Sequence, residues 1–517
     1  MSVEILSRLQ FGFTTVYHFF FVPITIGMSV LVAILQTLWV RTGNERYLRL
    51  TKFYGKLFLI NFALGVATGI VQEFQFGMNW SDYSRFVGDV FGAPLALEGL
   101  LAFFLESTFL GLWIFGWDRI PRLLHLASIW IAALGTWLSA LFILAANSWM
   151  QHPVGFTLNL ERGRAELTDF VAVLTNPVLL VTFPHQILAC LMTAGALVAA
   201  IAGWHLARQG RTGVVGATRT SSEVETNQVD PLDSAPGADG ESARGAEAGT
   251  HRWALRFGAV VMLIAGLGVV VSGDLQGKVM YEVQPMKMAA AEALYETEAP
   301  APLSLFTIGT LDGSREIFSV KASHVLSFLA TGTLDGEVVG INELNAQYHR
   351  AYHDELAQVY GPQVVETMPA FNPNVPVTYW SFRMMMGLGI GCMLVGLGVL
   401  WATRRNTLPP TGRWWTPLMV FLPLAPLLAN SFGWIFTEMG RQPWLVFGLM
   451  PTSAGVSPGT TVTEIVISLT SFTIVYGVLG FVEVRLLLKY IRAGLPDVSA
   501  VPVDDGADTD EPLSFAY

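Results

Sequence analysis

Apolar residues in this chain come in long uninterrupted blocks, without the alternating or one-sided patterns of a water-soluble domain. Nine blocks, at roughly residues 11–40, 53–75, 93–116, 124–146, 177–204, 254–272, 381–402, 415–437 and 463–488, reach or exceed the ~20 residues an α-helix needs to cross a bilayer. The pattern predicts an all-α integral membrane protein with nine transmembrane helices. The first block is too long for the apolar core of a cleavable signal and lacks a small-residue cleavage site, so it reads as a retained first helix. Basic residues cluster in alternate connections. Arg41, Arg46, Arg49 and Lys52 occupy the first, Arg119 and Arg122 the third, and Arg208, Arg211 and Arg252 the fifth. Arg404, Arg405 and Arg413 occupy the seventh, and Lys489 and Arg492 follow the last block. The positive-inside rule then sets the N-terminus outside and the C-terminus in the cytoplasm, as an odd number of spans requires.

The predicted organisation is helices 1–5 over residues 1–206, a connection at 207–251, helix 6 at 252–272, a long outer loop between helices 6 and 7 at 273–380, helices 7–9 over 381–494, and a tail at 495–517. The stretch 207–251 has little to bury, with SSEVETNQVD and GADGESARG in it, and reads as a disordered cytoplasmic linker. The acidic tail reads the same way. The outer loop keeps Tyr, Phe and Pro among its polar residues, and a loop of that length is usually functional. No internal repeat of the kind that builds inverted-repeat transporters is visible.

Composition narrows the class. Of 517 residues, 52% are hydrophobic and only 14% charged, against about 25% charged in an ordinary soluble domain. A net charge of −10 argues against a nucleic-acid partner. Both cysteines, Cys190 and Cys392, lie inside apolar blocks, which leaves no disulfide framework and no thiolate metal site.

A charge at mid-bilayer costs ~2.5–3.5 kcal/mol even on the mild insertion scales, so ionisable residues inside the blocks are functional candidates. His18, Glu98, Glu106, His185, Arg383 and Glu438 stand out. Imidazole and the thioether of Met385 are axial donors to haem iron, and their presence in the membrane suggests a haem protein. The bland readings are a histidine bonded across helices, a methionine filling the core and a protonated carboxyl paired with a neighbour. Of nine histidines, His18 and His185 alone lie well inside the spans, too few for a haem–copper core or a bis-histidine di-haem cytochrome. Two other readings stay open at this point: a membrane haem electron carrier that never reduces oxygen, and a proton-coupled transporter using Glu98 and Glu106.

Six motifs sharpen the reading: RLQFGFTTVYHFFFVPITIG (8–27), ALEGLLAFFLEST (96–108), ANSWMQHPVG (146–155), TFPHQILA (182–189), YWSFRMMMGLG (379–389) and GWIFTEMGRQPW (433–444). In content and order they resemble subunit I of the cytochrome bd quinol oxidases. The resemblance implies an oxidoreductase of the bacterial cytoplasmic membrane that oxidises ubiquinol or menaquinol outside and reduces dioxygen to water, building proton motive force without pumping. It implies two haem b, one low-spin and one high-spin, and one haem d. His185 and Met385 match the low-spin pair, with Arg383 near its propionates. His18 and Glu438 match ligands of the two high-spin haems, and Glu98 a third residue there. Glu106, with Ser139, matches a proton path from the cytoplasm. Trp434, Arg441 and Trp444 fall in the signature around Glu438, Arg441 as a propionate partner and Trp434 as an electron relay. The loop segment EVQPMKMAAAEALYET (282–297) is similar to the family's quinol-binding loop, with Lys287 and Glu292 as its substrate-side pair; read alone, it is a short amphipathic helix with solvated charges. A homologous second subunit, with small accessory subunits, is the implied partner.

Overall fold

A computed structural model describes residues 2–222, 238–310, 313–366, 368, 370–405 and 412–498. Among them, nine helical segments are long and apolar enough to cross a membrane, the number the apolar blocks predict. The first consists of α1 (Val3–His18) and α2 (Val22–Thr42), and the second is α3 (Glu45–Met78). In the third, α4 (Ser81–Leu97) passes through a π-helical turn at Glu98–Ala102 into α5 (Phe103–Phe115). After α6 (Arg122–Gln151) come the hairpin β1 (Phe156–Asn159) and β2 (Arg164–Leu167), the short α7 (Phe170–Leu174) and the long α8 (Pro177–Ser222).

The second half opens with α9 (Ala238–Val283). The loop then folds into α10 (Pro285–Glu292), a hairpin of β3 (Leu303–Gly309) and β4 (Glu316–Ala322), α11 (Val325–Thr331), α12 (Ile341–Tyr360) and α13 (Pro362–Glu366). The last three spans are α14 (Val375–Ala402), the pair α15 (Trp415–Phe421) and α16 (Leu424–Met439), and α17 (Val462–Ala493). A small hairpin, β5 (Trp444–Val446) and β6 (Met450–Pro451), lies between α16 and α17. The three antiparallel hairpins are additions to the all-α expectation, and all of them lie outside the spans. Helix enters the predicted linker from both sides, α8 to Ser222 and α9 from Ala238, while residues 223–237 lie outside the described residues. So does the tail from residue 499 on. The sixth span runs past residue 272 to Val283, so the loop's irregular part begins later than the apolar block suggests.

Breaks in the helices fall beside the expected site residues, for local reasons. Span 1 opens at Phe19–Phe21, directly after His18, and Pro23 in the first turn of α2 lacks an N–H for the preceding turn. The Phe21 carbonyl accepts the Thr25 N–H and Asn61 Nδ2, both at 2.9 Å, so Asn61 of α3 ties the break to the bundle. Pro94, inside α4, precedes the π turn that starts at Glu98, and Pro184 precedes His185 in α8. A π turn carries one extra residue and re-aims the side chains around it.

Four spans close around the second histidine: α8 packs on α9 and α16, and α14 packs on α9 and α16 in turn. The loop is held to this bundle by a core of its own, in which Met286, Ala289 and Ala290 of α10 meet Ile341, Leu344 and Tyr348 of α12, Val375 and Tyr379 of α14, and Trp444 of β5. The anchoring explains why α10 sits at a fixed place over the helix ends.

Candidate functional site

One helix supports most of the expected acids. Along α6, Gly135, Ser139, Asn147 and Gln151 form a stripe about 24 Å long at 1.5 Å per residue. Each position meets a different residue of the predicted site. A Cβ at Gly135 would stand 2.8 Å from Glu106 Cγ, so the glycine admits the Glu106 side chain, which is buried. Ser139 Oγ donates to Glu98 Oε1 at 2.6 Å. Asn147 Nδ2 donates to Glu438 Oε1 at 2.8 Å. Gln151 Oε1 accepts a short bond from Lys287 Nζ, and the Gln151 carbonyl takes Gln284 Nε2 at 2.7 Å. Of these α6 residues the sequence reading named Ser139 alone, although Asn147 and Gln151 both lie in its ANSWMQHPVG motif. Among the acids in the spans that it did not single out are Glu73 on α3 and Glu483 on α17.

Glu438 lies one turn beyond Trp434 on α16, and its second oxygen takes a short bond from Arg441 Nη2. Arg441 is 2% exposed, and its Nε and Nη1 have no partner among the described residues. The indole Nε1 of Trp444, also buried, has none either. Trp434 stacks on Phe19 at 4.8 Å between ring centroids, which ties α16 to the residue after His18. Farther along, Gly433 opens a notch for Met385: a Cβ there would lie 2.9 Å from the sulfur. Met384 and Met386 are exposed, so Met385 alone of the three faces the bundle.

Both membrane histidines are bonded at Nδ1 to a hydroxyl, His18 to Thr68 Oγ1 at 2.8 Å and His185 to Ser272 Oγ at 3.0 Å. His185 also has the Val269 backbone within hydrogen-bonding reach, and no hydrogen bond to Nε2 is seen at either histidine among the described residues, which leaves that atom for a metal.

The loop pair is buried, unlike the solvated charges of a surface helix. Lys287 is 3% and Glu292 4% exposed. Glu292 makes a bidentate pair with Arg383, Nη1 to Oε1 at 3.3 Å and Nη2 to Oε2 at 2.5 Å. Arg383 Nε also donates to the Ser304 carbonyl at 3.0 Å, and the guanidinium lies over the Tyr379 ring. The residue expected beside haem propionates thus holds the loop acid, two positions before Met385 on α14. Burial raises the Glu292 carboxyl, and Arg383 opposes that shift. The Lys287 stem passes over Gly440, where a Cβ would stand 2.8 Å from its Cγ. A small cavity lined by Lys287, Gln284, Arg441 and Trp444 adjoins it.

Burial, then the Arg441 charge, lowers the Lys287 ammonium from 10.5 to about 7, with Glu438 pulling the other way. The unfolded chain takes up this proton below 10.5 but the folded chain only below about 7, so Lys287 withdraws stability as pH falls through that window. Lys287→Met is therefore expected to raise the heat-inactivation temperature more at pH 7 than at pH 10. A difference that does not vary with pH would contradict the burial effect.

The donor set fits haem. Two imidazole Nε2 atoms, an inward thioether and carboxylates are axial donors, and buried guanidinium N–H groups without acceptors suit propionates. Among the described residues no cluster of three or more His, Cys, Asp or Glu could hold a bare metal ion. Fold and site together define a polytopic membrane haem protein with a docked polar loop. The chain matches the family of cytochrome bd terminal oxidase subunit I over residues 6–495 and belongs to it. It is 43% identical over 496 residues to cytochrome bd ubiquinol oxidase subunit 1 of Bacillus subtilis, covering 96% of this chain and 94% of that one. It is 37% identical over 533 residues to cytochrome bd-II ubiquinol oxidase subunit 1 of Escherichia coli, covering 95% and 96%. Among solved structures it resembles the bd oxidase from Geobacillus thermodenitrificans, with a TM-score of 0.76 and 27% identity over 95% of this chain and 98% of that one. The chain is accordingly a multi-pass subunit of a quinol:oxygen oxidoreductase in the bacterial cytoplasmic membrane.

Proposed function

We propose that this subunit oxidises quinol at the end of the bundle covered by α10–α13, that this end faces outward, and that dioxygen is reduced to water near His18 and Glu438. Two haem b and one haem d, held by His185 with Met385 and by His18, Glu438 and Glu98, would supply the electron transfer and oxygen chemistry. The observation that carries the reading is the Glu292–Arg383 pair, which joins the loop acid to the helix that presents Met385. Glu292 is positioned to accept a proton from a quinol hydroxyl and release it on the loop side, while Arg383 keeps the carboxylate oriented. Lys287, held by Gln151, presents a donor on the Arg441 side of α10. On the other side, Glu106 and then Glu98 with Ser139 bring protons along α6 from the cytoplasm. Proton release and uptake on opposite faces separate charge without a pump. A homologous second subunit completes the enzyme, with small accessory subunits.

Glu292→Gln tests the reading. The variant keeps an acceptor for Arg383 but not the base, so quinol oxidation is expected to fall ~100-fold, the low end of what a positioned general base contributes. Oxygen uptake with an artificial donor and the reduced-minus-oxidised haem bands are expected to persist. Loss of the haem bands would make α10 a structural clamp and remove the substrate role.

A further inference from the structure

The two membrane histidines share a surrounding that no motif described above includes. Each faces a hydroxyl followed by a glycine on the adjacent span, Thr68-Gly69 of α3 for His18 and Ser272-Gly273 of α9 for His185. In each case the hydroxyl proton is committed within its own helix. Thr68 Oγ1 donates to the Leu64 and Gly65 carbonyls at 3.1 and 3.0 Å, and Ser272 Oγ to the Gly268 and Val269 carbonyls at 2.8 and 3.3 Å. The oxygen is left as an acceptor, so the imidazole proton resides on Nδ1 and the lone pair on Nε2. The glycine that follows lets the ring lie against bare backbone. A Cβ at Gly69 or at Gly273 would stand 3.3 Å from the histidine Cε1, the ring atom between the two nitrogens. The hydroxyls need no imidazole to be satisfied, and the arrangement occurs on two separate helix pairs. Simple packing does not ask for that coincidence.

We infer that Thr68 and Ser272 are positioning residues that fix the tautomer, ring orientation and donor strength of the two histidines as iron ligands, with Gly69 and Gly273 keeping the ring in place. The inference rests on the haem ligation proposed above. A ligating imidazole that donates from its far nitrogen is more basic and stabilises ferric iron, so loss of the acceptor should raise the midpoint potential.

The test uses the purified oxidase complex and four variants. In Ser272→Ala the low-spin midpoint, read by optical redox titration, is expected to move up with the high-spin bands unmoved. Thr68→Val is expected to do the reverse, leaving the low-spin potential alone and lowering the iron–histidine stretching frequency of reduced high-spin haem in resonance Raman. Thr68→Ser and Ser272→Thr keep the hydroxyl and are expected to restore both signatures. Haem bands present with potentials and stretching frequency unmoved would overturn the inference. If Ser272→Ala fails to retain haem, the Thr68→Val and Thr68→Ser pair decides by the same stretching frequency. Absence of haem from the unmutated complex would instead overturn the ligation on which it rests.

Discussion

Glu438→Ala is expected to remove the high-spin haem bands and cut oxygen consumption by at least ~100-fold, beyond the ~10–100-fold that loss of an outer-shell partner brings. The low-spin bands should survive, because His185 and Met385 lie on α8 and α14 and the Gly433 notch that seats Met385 is unchanged. The size of the effect follows from what the carboxylate holds. Arg441 is buried with Nε and Nη1 already unmatched, and its Nη2 bond to Glu438 is its one ion pair among the described residues. Deleting that partner strands a guanidinium, which costs ~3–5 kcal/mol for a buried pair broken on one side. Asn147 loses its acceptor too, at ~1 kcal/mol. Glu438→Gln keeps an oxygen for the arginine and should fall between the two. Haemochrome quantitation with the reduced-minus-oxidised spectrum checks this. A complete set of bands in Glu438→Ala would place the ligand elsewhere and leave Glu438 as a counter-ion to Arg441.

The spans and the candidate site residues were legible because polarity inside an apolar block is conspicuous: a His or Glu amid Leu, Phe and Ala needs a partner, and the motifs suggested the roles proposed above. The partners were not legible. Asn147 and Glu438 are 291 positions apart, and Arg383 and Glu292 are 91 apart, so only the packed bundle brings them together. Thr68 and Ser272 are ordinary helix residues in sequence, and a hydroxyl bonding to its own helix carbonyl gives no sign that it also faces an imidazole. The sharpest gap concerns α10. PMKMAAAE has the spacing of a solvated amphipathic helix, yet α12, α14 and β5 close over it and bury both its charges. Local periodicity reports which faces could be wet, while the tertiary core decides which are. The hairpins escaped for a different reason: FTLN and RAEL alternate apolar and polar residues, but each runs for only four residues, too short to stand out beside the long apolar blocks.

Glu106→Gln is expected to slow turnover ~100-fold, within the ~10²–10⁴ range of a positioned proton donor, while quinol still reduces the low-spin haem. Glu106 is buried against Gly135, and Ser139, about 6 Å farther along α6, donates to Glu98. The two acids therefore meet α6 at positions one turn apart, with a hydroxyl bonded to one of them, which suits a proton relay and is more than a lone structural carboxyl asks for. A neutral amide at 106 fills the same space against Gly135 but carries no exchangeable acid proton. Gly135→Ala separates supply from packing. Its methyl would meet Glu106 Cγ at 2.8 Å, Glu106 N at 3.0 Å and the Ala102 carbonyl at 3.1 Å, pushing the acid off the stripe without changing its chemistry. Mixing pre-reduced enzyme with oxygen and following proton uptake distinguishes the cases. Slow uptake in both variants fits a relay that depends on where Glu106 sits. Normal uptake in Glu106→Gln with slow uptake in Gly135→Ala would assign the interface to helix packing and move the proton path off α6.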